Sequence, residues 1–206
     1  MDKELTDAQW MFVYNSMLWI KGALFQGNRL LSASEQSNNF NLKISENHQD
    51  FYTFHKESME LQEICRYEED FFTLSLYNSI FFLSKAANTL TGFREFYDEI
   101  ENVNGNGQIK DVRDMRVHVD EYLKGKGGKN KDNARFIYES REEQFPVAPS
   151  AQHLFAADAT STIVIDGEYL IGGRINVNKT LAALEKLLPD IVKLCRKYLF
   201  PSTNSM

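Results

Sequence analysis

Arg113, Asp114 and His118 are the residues whose types and spacing best suit proton transfer beside an anionic centre. A histidine titrating near neutrality can take or give a proton, and a guanidinium can stabilise negative charge that develops on neighbouring oxygens. A nearby carboxylate can orient the imidazole or raise its pKa. At about 100° per residue, with Val112 at the centre of a buried stripe, Arg113 lies about 100° to one side and His118 about 120° to the other. Asp114 and Tyr122 flank His118 at i−4 and i+4, on one edge of the helix. Arg113 and His118 therefore diverge on a single helix, and a shared site forms more easily where a second copy faces it.

An Arg, a polar residue directly after it, and a His beyond four intervening positions resemble the R-x4-6-H motif of the HEPN superfamily. Arg113, Asp114 and His118 fill those positions, on a late helix of a helical chain, and the resemblance covers about residues 6–124. It implies a HEPN-like up-and-down helical bundle, metal-independent endoribonuclease activity and a composite cleft across a homodimer. It also implies an RNA substrate, no cofactor, and an antitoxin protein as partner in a toxin–antitoxin or anti-phage setting. In such a site His118 takes the proton of an RNA 2′-hydroxyl or protonates the leaving 5′-oxygen, and Arg113 stabilises the phosphoryl oxygens. Some family members carry a tyrosine two residues after the histidine as a target for nucleotide addition; here that position is Asp120, and the nearest tyrosine is Tyr122.

A basic loop follows, with Lys126, Lys129 and Lys131 among glycines, and with Arg116 and Tyr122 it forms the expected substrate-binding set. The Gly-x4-Gly-Lys-[Ser/Thr] spacing of a phosphate-binding loop is absent, because Asn130 follows Lys129. The same residues also fit a plainer description. Arg113, Asp114, Arg116, His118, Asp120 and Glu121 can form a solvated, salt-bridged helix face, with Asp114 and His118 an ordinary i,i+4 pair. The competing functional class is a non-catalytic dimeric helical bundle that binds a protein or RNA, holding its partner through the apolar 71–83 segment or a hairpin near 152–177.

His48, Tyr52 and His55 stand at i, i+4, i+7, but a metal site there needs a third ligand from another helix, and no metal is expected. Cys65 and Cys195 fall in apolar helical patterns, which makes them core thiols of a reducing compartment, with the cytoplasm as the default.

The elements that position these residues follow from periodicity. Thr6 to Gln9 is a capping box, and Trp10, Val13, Met17, Ile20, Leu24 and Leu31 trace a helix over about 6–34. Polar residues 36–45 predict a connection, and a second helix runs to about Cys65 or Arg66. Glu68, Glu69 and Asp70 suit the N-terminus of a third helix, apolar nearly all round over 71–83. Residues 93–100 give a short helix, and 102–107 a loop. A fifth helix spans 108–123, with Ile109, Val112, Met115, Val119 and Leu123 on its stripe. Residues 162–171 read as two strands about an Asp-Gly turn, and 172–177 as further pairing. Asn178 is the expected cap of a last helix that Pro189 kinks.

The chain has 206 residues, 23 Lys plus Arg against 29 Asp plus Glu, and a net charge of −6. That balance excludes a broad nucleic-acid coat, so any RNA contact is local. The N-terminal residues lack the basic region of a signal peptide, and no apolar run reaches a spanning length, so no membrane insertion is expected. The composition predicts a mainly α single domain. Its bundle core is 6–124 plus 178–200, with a basic loop at 124–135 and a β excursion at 152–177.

Overall fold

Thr6 and Gln9 close a reciprocal capping box, in which the Gln9 N–H donates to Thr6 Oγ1 at 3.2 Å and the Thr6 N–H donates to Gln9 Oε1 at 3.0 Å. Helix α1 follows over Asp7–Glu46, then α2 over Phe51–Thr89, α3 over Arg94–Asn104 and α4 over Gln108–Val117. Short strands β1 (Arg135–Ile137), β2 (Ala156–Asp158), β3 (Thr162–Ile165), β4 (Glu168–Ile171) and β5 (Ile175–Asn176) precede the last helix, α5 (Val177–Leu199). This computed structural model describes residues 4–46, 51–117, 135–137, 156–158, 162–165 and 167–201. The chain is mainly helical, and it divides into two compact units, Met1–Ile100 with Leu181–Met206, and Glu101–Thr180.

In the first unit α1 and α2 form an antiparallel pair. Gln9 reaches the Thr89 carbonyl at one end, Arg29 pairs with Glu68 further along, and Phe40 stacks on Phe54 at 5.4 Å towards the other end. Small buried residues line the pair, with Ser16 and Ala23 on α1 and Ser75, Ser79 and Ala86 on α2. Gly27 is the tightest point, since a Cβ there would stand 2.6 Å from Leu181 Cδ2 and 2.9 Å from Phe72 Cε2. Helix α5 closes the core, with the Cys195 thiol on the Val13 carbonyl at 3.6 Å and the Tyr198 hydroxyl donating to the Thr91 carbonyl at 3.0 Å. Phe72, Leu76 and Leu83 of α2 and Leu184 and Ile191 of α5 are fully buried. Each such side chain contributes about 1.5–3 kcal/mol.

Two sequence expectations are corrected here. Residues 36–45 are helical instead of a connection, and the Phe40–Phe54 stack ties that polar stretch to α2. The expected boundary near Arg66 is absent, because α2 runs unbroken through Glu68, Glu69 and Asp70. Glu68 does not sit at a positive helix end. It is buried, and the Arg29 guanidinium stabilises it from across the pair. The inner stripe of α1 also differs from the expected one. Val13, Ser16, Ile20, Ala23 and Leu30 are buried, whereas Trp10 is 46% exposed.

In the second unit β3, β4 and β5 form an antiparallel sheet, with Thr162 opposite Ile171 and Ile165 opposite Glu168, as the Asp166-Gly167 turn predicts. Gly167 has φ +77°, the left-handed conformation such a turn requires. Tyr169 and Ile171 are buried while Glu168 and Leu170 are not, so the strand alternates as a half-covered strand should. Strand β5 pairs with β4, as expected for 172–177, and β1 pairs with β2 in a separate sheet. Asn176, not Asn178, caps α5, since its Oδ1 accepts the Lys179 N–H at 2.9 Å. Asn178 instead accepts the Tyr169 N–H at 2.8 Å. Helix α5 continues past Pro189.

Candidate functional site

Helix α4 is set by the turn before it. Gly107 adopts φ +79° and donates its N–H to the buried Glu101 carboxylate at 3.0 Å, which directs the chain into the helix. Ile109, Val112 and Met115 are buried, as their spacing predicts, and strand β5 lies beside the helix. That anchors one side of α4 and leaves Arg113, Asp114 and Arg116 on its flanks, each partly covered.

Arg113 Nη1 donates to Asp114 Oδ1 at 2.8 Å, and Lys110 Nζ, one helical turn earlier, donates to Asp114 Oδ2. The Arg113 side chain is 30% exposed and that of Asp114 is 23% exposed, so both are more enclosed than a freely solvated face. Burial by itself raises the Asp114 pKa. The hydrogen bonds from Lys110 and Arg113, with their positive charges, outweigh it and hold the carboxyl below its usual value. Asp114 is therefore an ionised clamp between two cations. The sequence singled out Asp114 as a partner of His118 and missed Lys110, although the i,i+4 spacing of Lys110 and Asp114 was a usable signal.

His118, Tyr122, Lys126, Lys129 and Lys131 lie outside the described residues, as do Val119 and Leu123 of the expected stripe. The structure thus brings together Arg113 and Asp114 of the expected catalytic set, and adds Lys110. A fixed guanidinium can bind a phosphate oxygen or stabilise a developing anion, provided a proton carrier stands near it.

Among the described residues, no group of three or more His, Cys, Asp and Glu stands close enough to hold a metal ion. His48 lies outside the described residues, and His55 is exposed. Cys195 is a core thiol as expected, and burial pushes its pKa up to about 12. Cys65 is only half-buried, a departure from the expected core position, and burial followed by the Glu69 charge raises its pKa. Neither is an activated nucleophile. No described helix is long and apolar enough to cross a membrane.

A second polar cluster went unnoticed in the sequence. Asn104 Oδ1 accepts the Asn176 N–H at 2.8 Å and Asn104 Nδ2 donates to Thr180 Oγ1 at 2.8 Å, while Asn176 Nδ2 donates to Glu168 Oε2 at 2.7 Å. These bonds join the end of α3, strand β4 and the start of α5. Every named group is partnered within the cluster, which suits a structural latch. No family model, no curated protein and no solved structure matches the chain.

Proposed function

We propose that this chain is a HEPN-like, metal-independent endoribonuclease that acts as a homodimer in a toxin–antitoxin or anti-phage setting. The observation that carries the reading is the Asp114 clamp on Arg113, a guanidinium held in place five positions before His118. In the proposed reaction the RNA 2′-oxygen attacks the adjacent phosphorus and the bond from phosphorus to the 5′-oxygen breaks. His118 takes the 2′-hydroxyl proton or supplies the proton to the 5′-oxygen, and Arg113 stabilises the phosphoryl oxygens. The products are a 2′,3′-cyclic phosphate and a 5′-hydroxyl. Asp114 is a positioning residue, and Arg116, Tyr122, Lys126, Lys129 and Lys131 hold the RNA backbone.

The test is cleavage of varied RNAs in EDTA by the wild type, Arg113→Ala and His118→Ala. Cleavage by the wild type alone supports the reading. Equal cleavage by all three, or none by any, removes it. The second reading, a non-catalytic binding protein, is favoured by the large apolar side chains that α1 and α2 leave exposed, and an inactive wild type would select it.

A further inference from the structure

Helices α1 and α2 are two-sided. Their inner sides carry the core described above, but each helix bears a second apolar series with alternating three- and four-residue steps. On α1 that series is Met11, Tyr14, Leu18 and Phe25, with Lys21 at the intervening step, and these four apolar residues are 39–60% exposed. On α2 it is Ile64, Tyr67, Phe71, Leu74 and Phe81, with Asn78 intervening, and these five are 40–61% exposed. Such spacing is that of a seam between helices, and a lone Lys or Asn in a seam fixes register.

Both series lie on one side of the helix pair. Helix α5 approaches α1 at Val13 and Gly27, and at about 100° per residue Leu18 and Phe25 lie roughly 120–180° round the helix from those contacts. On α2, at the same roughly 100° per residue, the outer series stands roughly 80–180° round the helix from the buried Phe72, Leu76 and Leu83. Among the described residues the pair therefore shows α5 one face and leaves the other exposed.

We infer that this outer face of α1 and α2 is where a second copy of the chain docks, forming an antiparallel four-helix bundle about a two-fold axis parallel to the helices. Area supports it first. With roughly 150–250 Å² on each aromatic ring residue and about half of it exposed, the nine apolar side chains offer roughly 800 Å² per copy. That equals the area a stable interface takes from each partner, about 800 Å², and exceeds the roughly 300–600 Å² of the largest patch on a typical monomer.

Register supports it next. Gly27 is level with Phe72 and Arg29 with Glu68, so Leu18 is level with Phe81, Lys21 with Asn78, and Phe25 with Leu74. The two-fold lays α1 of one copy along α2 of the other at these same levels. Leu18 then meets the partner's Phe81, Phe25 meets the partner's Leu74, and Lys21 reaches the partner's Asn78.

Charge agrees as well. Between Asp7 and Glu35 the only charges on α1 are Lys21 and Arg29. The part of α2 level with this stretch exposes Arg66, Asp70 and Lys85, and Arg29 is level with Asp70. The pairing thus sets Arg29 of each copy level with Asp70 of the other.

This inference deepens the homodimer in the proposed function but rests on the helix faces alone, independent of the Arg113 chemistry. The test is the sedimentation mass of the full chain at about 10–100 μM, a concentration at which an interface of this area is expected to be occupied. The expected mass is twice 23.8 kDa for the wild type, and 23.8 kDa for Phe25→Glu and for Leu74→Glu with unchanged helical circular dichroism. Both positions are exposed in the single chain, so neither substitution should unfold it. Register is read by oxidising a mixture of Phe25→Cys and Leu74→Cys chains, where the expected crosslink joins position 25 to position 74. A monomeric wild type, variants that stay dimeric, or crosslinks only between two positions 25 overturn the inference. A monomer leaves this face to another protein. A monomer that cleaves RNA sinks this inference and the homodimer of the proposed function but leaves the ribonuclease standing, and a dimer that cleaves none sinks the ribonuclease alone.

Discussion

Asn104 bonds to the backbone of Asn176 across 72 positions of sequence, its Oδ1 accepting the Asn176 N–H at 2.8 Å. The same side chain donates to Thr180 Oγ1, which in turn donates to the Asn176 carbonyl at 2.6 Å. One amide thus serves a buried N–H and a fully buried hydroxyl at the point where β5 passes into α5.

Asn104→Ala leaves the Asn176 N–H without its acceptor, while the Thr180 hydroxyl keeps its bond to the Asn176 carbonyl, and the expected loss is about 1–3 kcal/mol for the one unsatisfied buried group. Urea unfolding should show a lower midpoint with an unchanged slope. An unmoved midpoint would mean that water replaces the amide.

Gly27 and Gly22 should respond in opposite directions to alanine. At Gly27 the added methyl meets Leu181 and Phe72 inside 3 Å, whereas at Gly22 the nearest atoms are 3.9 Å away. Gly27→Ala should destabilise by about 1–3 kcal/mol through overpacking. Gly22→Ala should stabilise by about 0.5–1 kcal/mol through its helix propensity. Thermal melts of the two variants check the pair, and equal shifts would contradict the packing.

The Lys110–Asp114–Arg113 clamp has a pH signature. The folded pKa of Asp114 lies below its unfolded value, so its contribution is complete above the unfolded carboxylate pKa, about 3.9, and disappears as pH falls through the lower folded value. Asp114→Asn should cost up to about 1 kcal/mol at pH 7 and nothing at the acid end of that window. Denaturation of both proteins from pH 7 down to pH 3 measures the difference, and a constant gap across that range would contradict the clamp.

Thiol labelling separates the two cysteines. In the native protein at pH 8, Cys65 is expected to react with a maleimide far faster than Cys195, whose thiol is fully buried with its pKa pushed up to about 12. Equal rates would place Cys195 at the surface.

The parts of this structure legible in sequence are those governed by local pattern. Thr6 and Gln9 form their capping box, Ile109, Val112 and Met115 turn inward, and the strands pair about Asp166-Gly167. What the pattern hid depends on distant partners. Glu68 resembles a helix start until Arg29 is brought against it, and Ser16, Ala23 and Gly27 are invisible to hydrophobic periodicity because their role is to be small. Trp10, Leu18 and Phe25 were apolar without being core, which periodicity alone cannot distinguish. At the candidate site Arg113 and Asp114 were found by motif, while Lys110, the residue that completes the clamp, lay one turn earlier and unmarked.

The central claim is tested most directly by single-turnover cleavage of a labelled RNA in EDTA, with the product ends identified, by the wild type, Arg113→Ala, Arg113→Lys, His118→Ala and Asp114→Asn. The account expects 2′,3′-cyclic phosphate ends from the wild type and a loss of about 100-fold or more for Arg113→Ala and His118→Ala. Arg113→Lys should recover part of the rate, and Asp114→Asn should lose roughly 10-fold, as a positioning residue would. Wild-type cleavage that is unchanged in Arg113→Ala and His118→Ala, or no cleavage by any of the proteins, would contradict it.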